Sequence, residues 1–341
     1  MYRITLTPEE AAECRALAAE LAQEHASVES QKFLDNAAVY AQELPRGLRT
    51  GLNEFRLKEP EVVCVVSGFR VDDNTIGATP EHWKNRSAQS PTLEEELFFL
   101  LCGQLLGDPI AWATQQEGRI MHDVMPIKGH EIGQLGTGSS TPLEWHTEDA
   151  FHPYRADYVG LMCLRNPDAA ETTYVGIADL DLDEQTRETL SGAFFPLIPD
   201  DAHRPENRGE PGADAPVAEL QERSYARIRR MLDEPEPVPI LFGDSADPYL
   251  RVHPYYMAPI QNEAARTAMT VFSEKVETRM RNAVLQPGQV IFIDNFKAIH
   301  GRRPFQARYD GKDRWLKRIN VTRDLRKSRD ARTAAHERVI Y

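Results

Sequence analysis

Apolar residues recur at helical spacing near the start of the chain. Thr7-Pro8-Glu9-Glu10 reads as a helix start, with Thr as cap, Pro at the first helical position and Glu three residues after the cap. Cys14, Leu17, Ala18 and Leu21 follow on one face. A second helix is predicted over about 29–43, ending before Pro45. Val62-Val63-Cys64-Val65-Val66 is a short buried strand closed by Ser67-Gly68. Thr92-Leu93-Glu94-Glu95 caps a strongly apolar helix that stops near Gly107-Asp108-Pro109. Residues 111–127 look like a strand pair turning at Glu117-Gly118. Core strands are expected at 157–164 and 172–177, a short helix at 183–192 and a polar helix at 219–232. A long amphipathic helix is expected over 263–284, with Ala268, Val271, Phe272, Val276 and Met280 inward. Pro287-Gly288 turns the chain into an apolar strand, VIFIDN, which delivers His300. Residues 314–321 form the last core strand, whose alternation sends Arg314, Leu316 and Arg318 to one face.

Two stretches lack any apolar period. Residues 133–140, GQLGTGSS, lack the lysine of a phosphate-binding loop and read as a mobile rim of a pocket. Residues 196–216 are rich in Pro, Asp and Gly, and a loop of that length in a compact enzyme reads as a lid.

Composition changes the picture in three places. No run of about 18 apolar residues exists, and MYRITLTPEEAAECR lacks the core of a signal peptide, so no membrane partner is expected. Cys14, Cys64, Cys102 and Cys163 have no C-x-x-C spacing and read as reduced core residues of a cytoplasmic protein. The net charge of −13 argues against nucleic acid. It is uneven: residues 301–341 hold 13 Lys/Arg against 5 Asp/Glu, a net of +8, which leaves −21 on the rest. The basic end is expected to be a solvated tail or short helix lying on an acidic body.

The chemistry centres on His146-Thr147-Glu148. Residues two apart on an extended strand share a face, so an imidazole and a carboxylate would point at one centre. With His300, they make two His and one carboxylate, the donor set of a non-haem Fe(II) site that leaves positions open. On spacing alone, a surface His-Thr-Glu and a core histidine stand as an equal alternative. His122, His130 and His152 read as loop or strand histidines. Arg314, fourteen residues past His300, offers a planar fork suited to a carboxylate.

LEWHTEDAFHPYRADYVGLMCLRNPD and FIDNFKAIHGRRPFQARYDGKDRWLKRINVTRDL together resemble the clavaminate-synthase-like Fe(II)/2-oxoglutarate oxygenases. Within that family the likeness is to the free-arginine hydroxylases of antibiotic biosynthesis, and it runs over most of the chain. The resemblance implies a double-stranded β-helix (jelly-roll) core in one catalytic domain. Residues 1–110 would be mostly helical support, 111–322 the core and 323–341 the tail. It implies Fe(II) on His146, Glu148 and His300, and 2-oxoglutarate held by Arg314 and by the hydroxyl of Thr173. Gln115, Glu148 and Arg318 would anchor the α-substituents of an amino acid. Dioxygen would complete the site, and oxidative decarboxylation to succinate would drive hydrogen abstraction and hydroxylation.

One departure bears on specificity. In the arginine hydroxylases, the segment matching Leu250-Arg251-Val252 is followed by two aspartates that clamp the guanidinium. Here those positions are His253 and Tyr255, with Asp244 and Asp247 nearby as substitutes. The substrate expected is therefore arginine, citrulline or a relative, with a neutral end favoured. Desaturation of the same substrate, a carrier-bound amino acid and a non-catalytic metal-binding jelly roll are the alternatives.

Overall fold

The computed structural model describes residues 1–85, 87, 89–204 and 215–341. Two sheets face each other. The larger has the strand order Tyr2–Thr5, Val63–Ser67, Val290–Asp294, Tyr158–Arg165, Trp315–Thr322, Asp108–Trp112 and Val339–Ile340. His122–Val124 also pairs with Trp315–Thr322. The smaller runs Arg281–Val284, Glu171–Gly176, Ala298–Arg302, Leu143–His146. Between them lies an apolar cluster drawn from both, including Val65, Leu161, Ile291, Ile293 and Leu316 from the large sheet and Tyr174, Ala283 and Ala298 from the small one. This is the jelly-roll sandwich, in which inward residues alternate with outward ones along each strand.

Helices cover both outer faces. The helix Pro8–Glu24 has the capping box read from the sequence, with Cys14, Leu17, Ala18 and Leu21 buried. With Gln31–Tyr40, Arg46–Lys58 and Leu93–Gln104 it covers the large sheet, burying Phe55, Phe98, Phe99 and Phe292 in one core. The helix Glu263–Arg279 packs Ala268, Phe272 and Val276 against Trp145, Val175 and Ile299 of the small sheet. No helix among the described residues is long and apolar enough to cross a membrane. All four cysteines are buried and free.

Several elements differ from the sequence reading. The helix expected over 263–284 ends at Arg279, and Arg281–Val284 is a strand on Glu171–Gly176. Ala283 and Leu285 are buried while Asn282 and Val284 are exposed, which is a strand's alternation and not a helix's. Residues 111–127 are not a hairpin. Asp108–Trp112 and His122–Val124 both pair with Trp315–Thr322, because Gln116, Glu117 and Gly118 all have left-handed φ and coil the connection. The apolar strand Val290–Asp294 stays in the large sheet, and His300 lies on the next strand, across the sandwich. The helix Arg46–Lys58 was not anticipated, although Leu48, Leu52 and Phe55 have its spacing. The basic end is not merely solvated: Val339–Ile340 adds a parallel strand to Asp108–Trp112, and Arg338 is buried against Asp108 at 2.6 Å. Of the expected lid, residues 196–204 run through the turn Asp201–His203, and 205–214 lie outside the described residues.

The outward face of Trp315–Thr322 carries a buried ion triad. Lys317 Nζ is 2.8 Å from Glu96 and 2.6 Å from Asp123, all three buried. Lys317→Met should lower unfolding free energy in denaturant titrations by about 3–5 kcal/mol, because two carboxylates lose their cation. A loss within experimental error would show that the triad does not hold the helix layer to the sheet.

Candidate active site

Three side chains converge where Leu143–His146 pairs with Ala298–Arg302. His146 and His300 are register partners, so both imidazoles leave on the same inward face. Their ring centroids are 4.5 Å apart. Glu148 stands just past the strand end, and one of its oxygens is 3.5 Å from Nε2 of each imidazole. One ligand atom from each residue fits within a 4.8 Å cluster, and all three residues are buried.

Local structure holds this geometry. Asn295 accepts the Glu148 N–H at 2.7 Å and donates back to the Glu148 carbonyl at 3.0 Å. Thr147 N–H donates to the Val252 carbonyl at 2.8 Å, and the Val252 N–H donates to the Thr147 hydroxyl at 3.1 Å. Nδ1 of His146 donates to the Glu144 carbonyl at 2.7 Å, which leaves the lone pair of Nε2 for a metal. Gly301 is glycine for a reason: a Cβ there would come within 2.7 Å of the Leu143 carbonyl.

Burial alone would raise the Glu148 carboxyl. Arg318, paired with it through Nη1, and the two imidazoles hold it well below the ordinary range. Burial lowers His300, whereas at His146 contact with Glu148 outweighs burial and raises it. A carboxylate and two imidazole Nε2 atoms in one buried cluster are a fit for a divalent transition metal. Arg318 Nη2 also donates to Gln115 Oε1 at 3.0 Å and to His122 Nδ1 at 2.7 Å. The expected sharing of a face is seen, since Arg314, Leu316 and Arg318 line one cavity with the three candidate ligands.

Arg314 lies deeper in that cavity. Burial pushes its guanidinium down to about 10, and its Nε has no hydrogen-bond partner. No acid pairs with it among the described residues. Arg302 and Thr172 line the same cavity. The residue expected there was Thr173. Thr173 pairs with Gly301 and Thr172 with Arg302, so alternation sends Thr172 inward with His300 and Thr173 to the opposite face.

The expected side-chain residues separate. His253 lines the cavity, its ring stacked on His146 at 4.8 Å with 19° between planes. Burial holds it well below the usual histidine range. Tyr255 points away and is 55% exposed. Asp244 is exposed and accepts the Ala246 N–H, and Asp247 pairs with Lys297 at 2.9 Å. Neither aspartate lines the cavity, so neither replaces the clamp. Besides Glu148 and Asp149, the cavity is lined by one further acid among the described residues, Asp200. Sequence reading passed over it because loop acids carry no period; the one local signal is its capping of the Ala202 N–H. The rim residues Gln134, Leu135 and Gly136 line the cavity as expected. His152 stays outside the cluster, its ring tilted 53° against Trp112 at 4.2 Å between centroids.

A family model described as taurine catabolism dioxygenase TauD, TfdA family matches residues 93–320. The chain belongs to this family. It is a dioxygenase, with the jelly roll and open metal site that such chemistry needs. It is 49% identical to an enduracididine beta-hydroxylase of Streptomyces hygroscopicus, over the whole of both chains. It is 46% identical to an L-ornithine/L-arginine 3-hydroxylase of Catenulispora acidiphila, again over the whole of both. Its fold matches the non-heme iron oxygenase OrfP, solved with Fe, succinate and (3S)-hydroxy-L-Arg, at a TM-score of 0.94, with 41% identity and full coverage of each chain.

His146→Ala and His300→Ala should each abolish stoichiometric binding of a divalent transition metal in calorimetry, while His152→Ala retains it. Metal binding that survives either of the first two changes would remove that histidine from the ligand set.

Proposed function

We propose that this dioxygenase uses iron(II) and 2-oxoglutarate to hydroxylate the side chain of a free amino acid that carries a guanidino group. The observation that carries the reading is Arg314, a buried cation without an acid of its own among the described residues, in the cavity lined by the three candidate ligands. Iron, held by His146, Glu148 and His300, supplies dioxygen activation coupled to decarboxylation of 2-oxoglutarate to succinate. Everything else falls to the chain. Arg314 takes the distal carboxylate, with the Thr172 hydroxyl beside it. Val159, Leu161 and Leu316 give the apolar wall for the methylenes.

The substrate's polar ends are matched on the other side. Gln115 and Arg318 offer an amide and a guanidinium to the α-amino and α-carboxylate groups. Asp200 and His253 face the side chain. Enclosure pushes the Asp200 carboxyl up to about 6, so it is charged at neutral pH and available to a cation. This reverses the preference for a neutral end, which rested on His253 and Tyr255 alone. The acid comes from a different segment. Relatives named for enduracididine and arginine agree with a guanidino substrate, linear or cyclised.

An amino-acid panel with Fe(II) and 2-oxoglutarate, read by succinate release and product mass, tests this. Arginine or its cyclic relative should gain one oxygen; conversion confined to amino acids without a guanidino group would overturn the assignment. Arg314→Ala should raise half-saturating 2-oxoglutarate about ten- to a hundredfold, from a lost charged hydrogen bond of about 1.5–3 kcal/mol, with the amino-acid requirement little changed. An unmoved 2-oxoglutarate titration would assign that carboxylate to another cation. The preference for arginine over citrulline should fall as pH drops through about 6, because Asp200 is then protonated in the free enzyme. In Asp200→Asn the preference should be low and flat with pH. A preference that is high and flat in that variant would place the cation elsewhere.

A further inference from the structure

One residue packed against Asp149 has no role in the chemistry above, yet both of its ring nitrogens are engaged. His203 ends the turn that begins at Asp201, three residues after Asp200, and is 1% exposed. Its Nδ1 is 2.6 Å from the Thr114 hydroxyl. Its Nε2 is 2.9 Å from an Asp149 oxygen and 2.8 Å from Gln115 Nε2. The ring meets Trp112 and Phe151 edge-on, at 5.7 and 4.9 Å between centroids. Trp112 Nε1 donates to the other Asp149 oxygen at 2.6 Å. Asp149 directly follows Glu148 and has φ of 50°, a left-handed conformation uncommon outside glycine.

These contacts converge on Gln115. Its amide oxygen is taken by Arg318, and its nitrogen donates to Asp149 at 3.4 Å. His203 Nε2 stands between the Asp149 carboxylate and the Gln115 amide nitrogen, and its Nδ1 stands against the Thr114 hydroxyl, so the ring is held at both nitrogens. The imidazole therefore pins Asp149 and walls one side of the Gln115 amide, so the amide keeps one orientation. Because Asp200 rides on the same short segment, the socket that receives the imidazole also places the acid.

We propose that His203 is a positioning residue for substrate binding. Seated between Thr114 and Asp149, it orients the Gln115 carboxamide toward the backbone end of a zwitterionic amino acid and presents Asp200 to the side-chain end. The proposal rests on the reading of the cavity as an amino-acid site, and it deepens that reading by assigning a residue that does not line the cavity.

His203→Phe fills the socket without polar atoms, and His203→Gln keeps a donor within reach of Asp149. The measurements are calorimetric binding of arginine to metal-loaded protein, KM for arginine and for 2-oxoglutarate, and the ratio of hydroxylated product to succinate. For the Phe variant, arginine Kd and KM should rise about tenfold, the loss of roughly one charged hydrogen bond, with KM for 2-oxoglutarate changed by no more than about twofold. The product ratio should fall, since a poorly held substrate lets decarboxylation run without hydroxylation, and the Gln variant should recover most of each loss. Equal rises in both KM values, an unchanged arginine Kd, or no recovery with Gln would overturn the proposal. If the Phe variant does not fold, Thr114→Val, which removes the hydroxyl from the other ring nitrogen, takes its place under the same criteria. A natural protein that neither binds nor converts any guanidino amino acid would instead overturn the functional reading itself.

Discussion

Glu148 has to remain ionised where little water reaches it, and Arg318 is what keeps it so. A buried carboxylate stripped of its cation is destabilising by several kcal/mol, on the order of 3–5. The two partners come from opposite sheets, so their pairing also ties the sandwich together at the metal end. Gln115 and His122 take up the other guanidinium nitrogen, which prevents Arg318 from swinging away. The strand that supplies Arg318 is committed on both faces. Arg314 and Arg318 point into the cavity, while Lys317 between them answers Glu96 and Asp123 on the helix side. Between Arg314 and Arg318, side-chain direction thus separates a structural cation from two functional ones.

What could be read from the sequence was whatever is local in the chain. The spacing of His146 and Glu148, the alternation of Arg314, Leu316 and Arg318, and the capped first helix all survive in three dimensions. The misreadings have physical causes. Thr172 and Thr173 differ by one position on a strand, and a one-residue slip exchanges faces. Residues 281–284 continue an apolar helical pattern, but the open edge beside Glu171–Gly176 claims them as a strand. Asp200, His203 and Asn295 were silent because their roles depend on contacts with residues far away in the sequence. The substitution of His253 and Tyr255 for two aspartates was visible, but its meaning depended on an acid from another segment.

Arg314 shows the opposite balance from Glu148. The fold buries a cation and, among the described residues, supplies it with no acid, which is costly for a protein by itself. Such a site is stabilised by whatever carboxylate fills it, and that binding adds to the stability of the folded chain by mass action. A buried cation left to an incoming carboxylate, in the cavity that holds the candidate metal ligands, is how a binding site differs from a core.

The two edges of the large sheet come from opposite ends of the described chain, residues 2–5 and 339–340. Contacts so remote in sequence are slow to form, because a long loop must close before they reward it. The strand Asp108–Trp112 therefore keeps one side unpaired until Val339–Ile340 docks beside it. It is also the strand that carries Trp112, the indole bonded to Asp149. Assembly of the wall that carries Trp112 and completion of the sheet edge are thus neighbouring events, and a chain with Val339–Ile340 undocked would leave exposed a strand edge suited to pairing with another molecule.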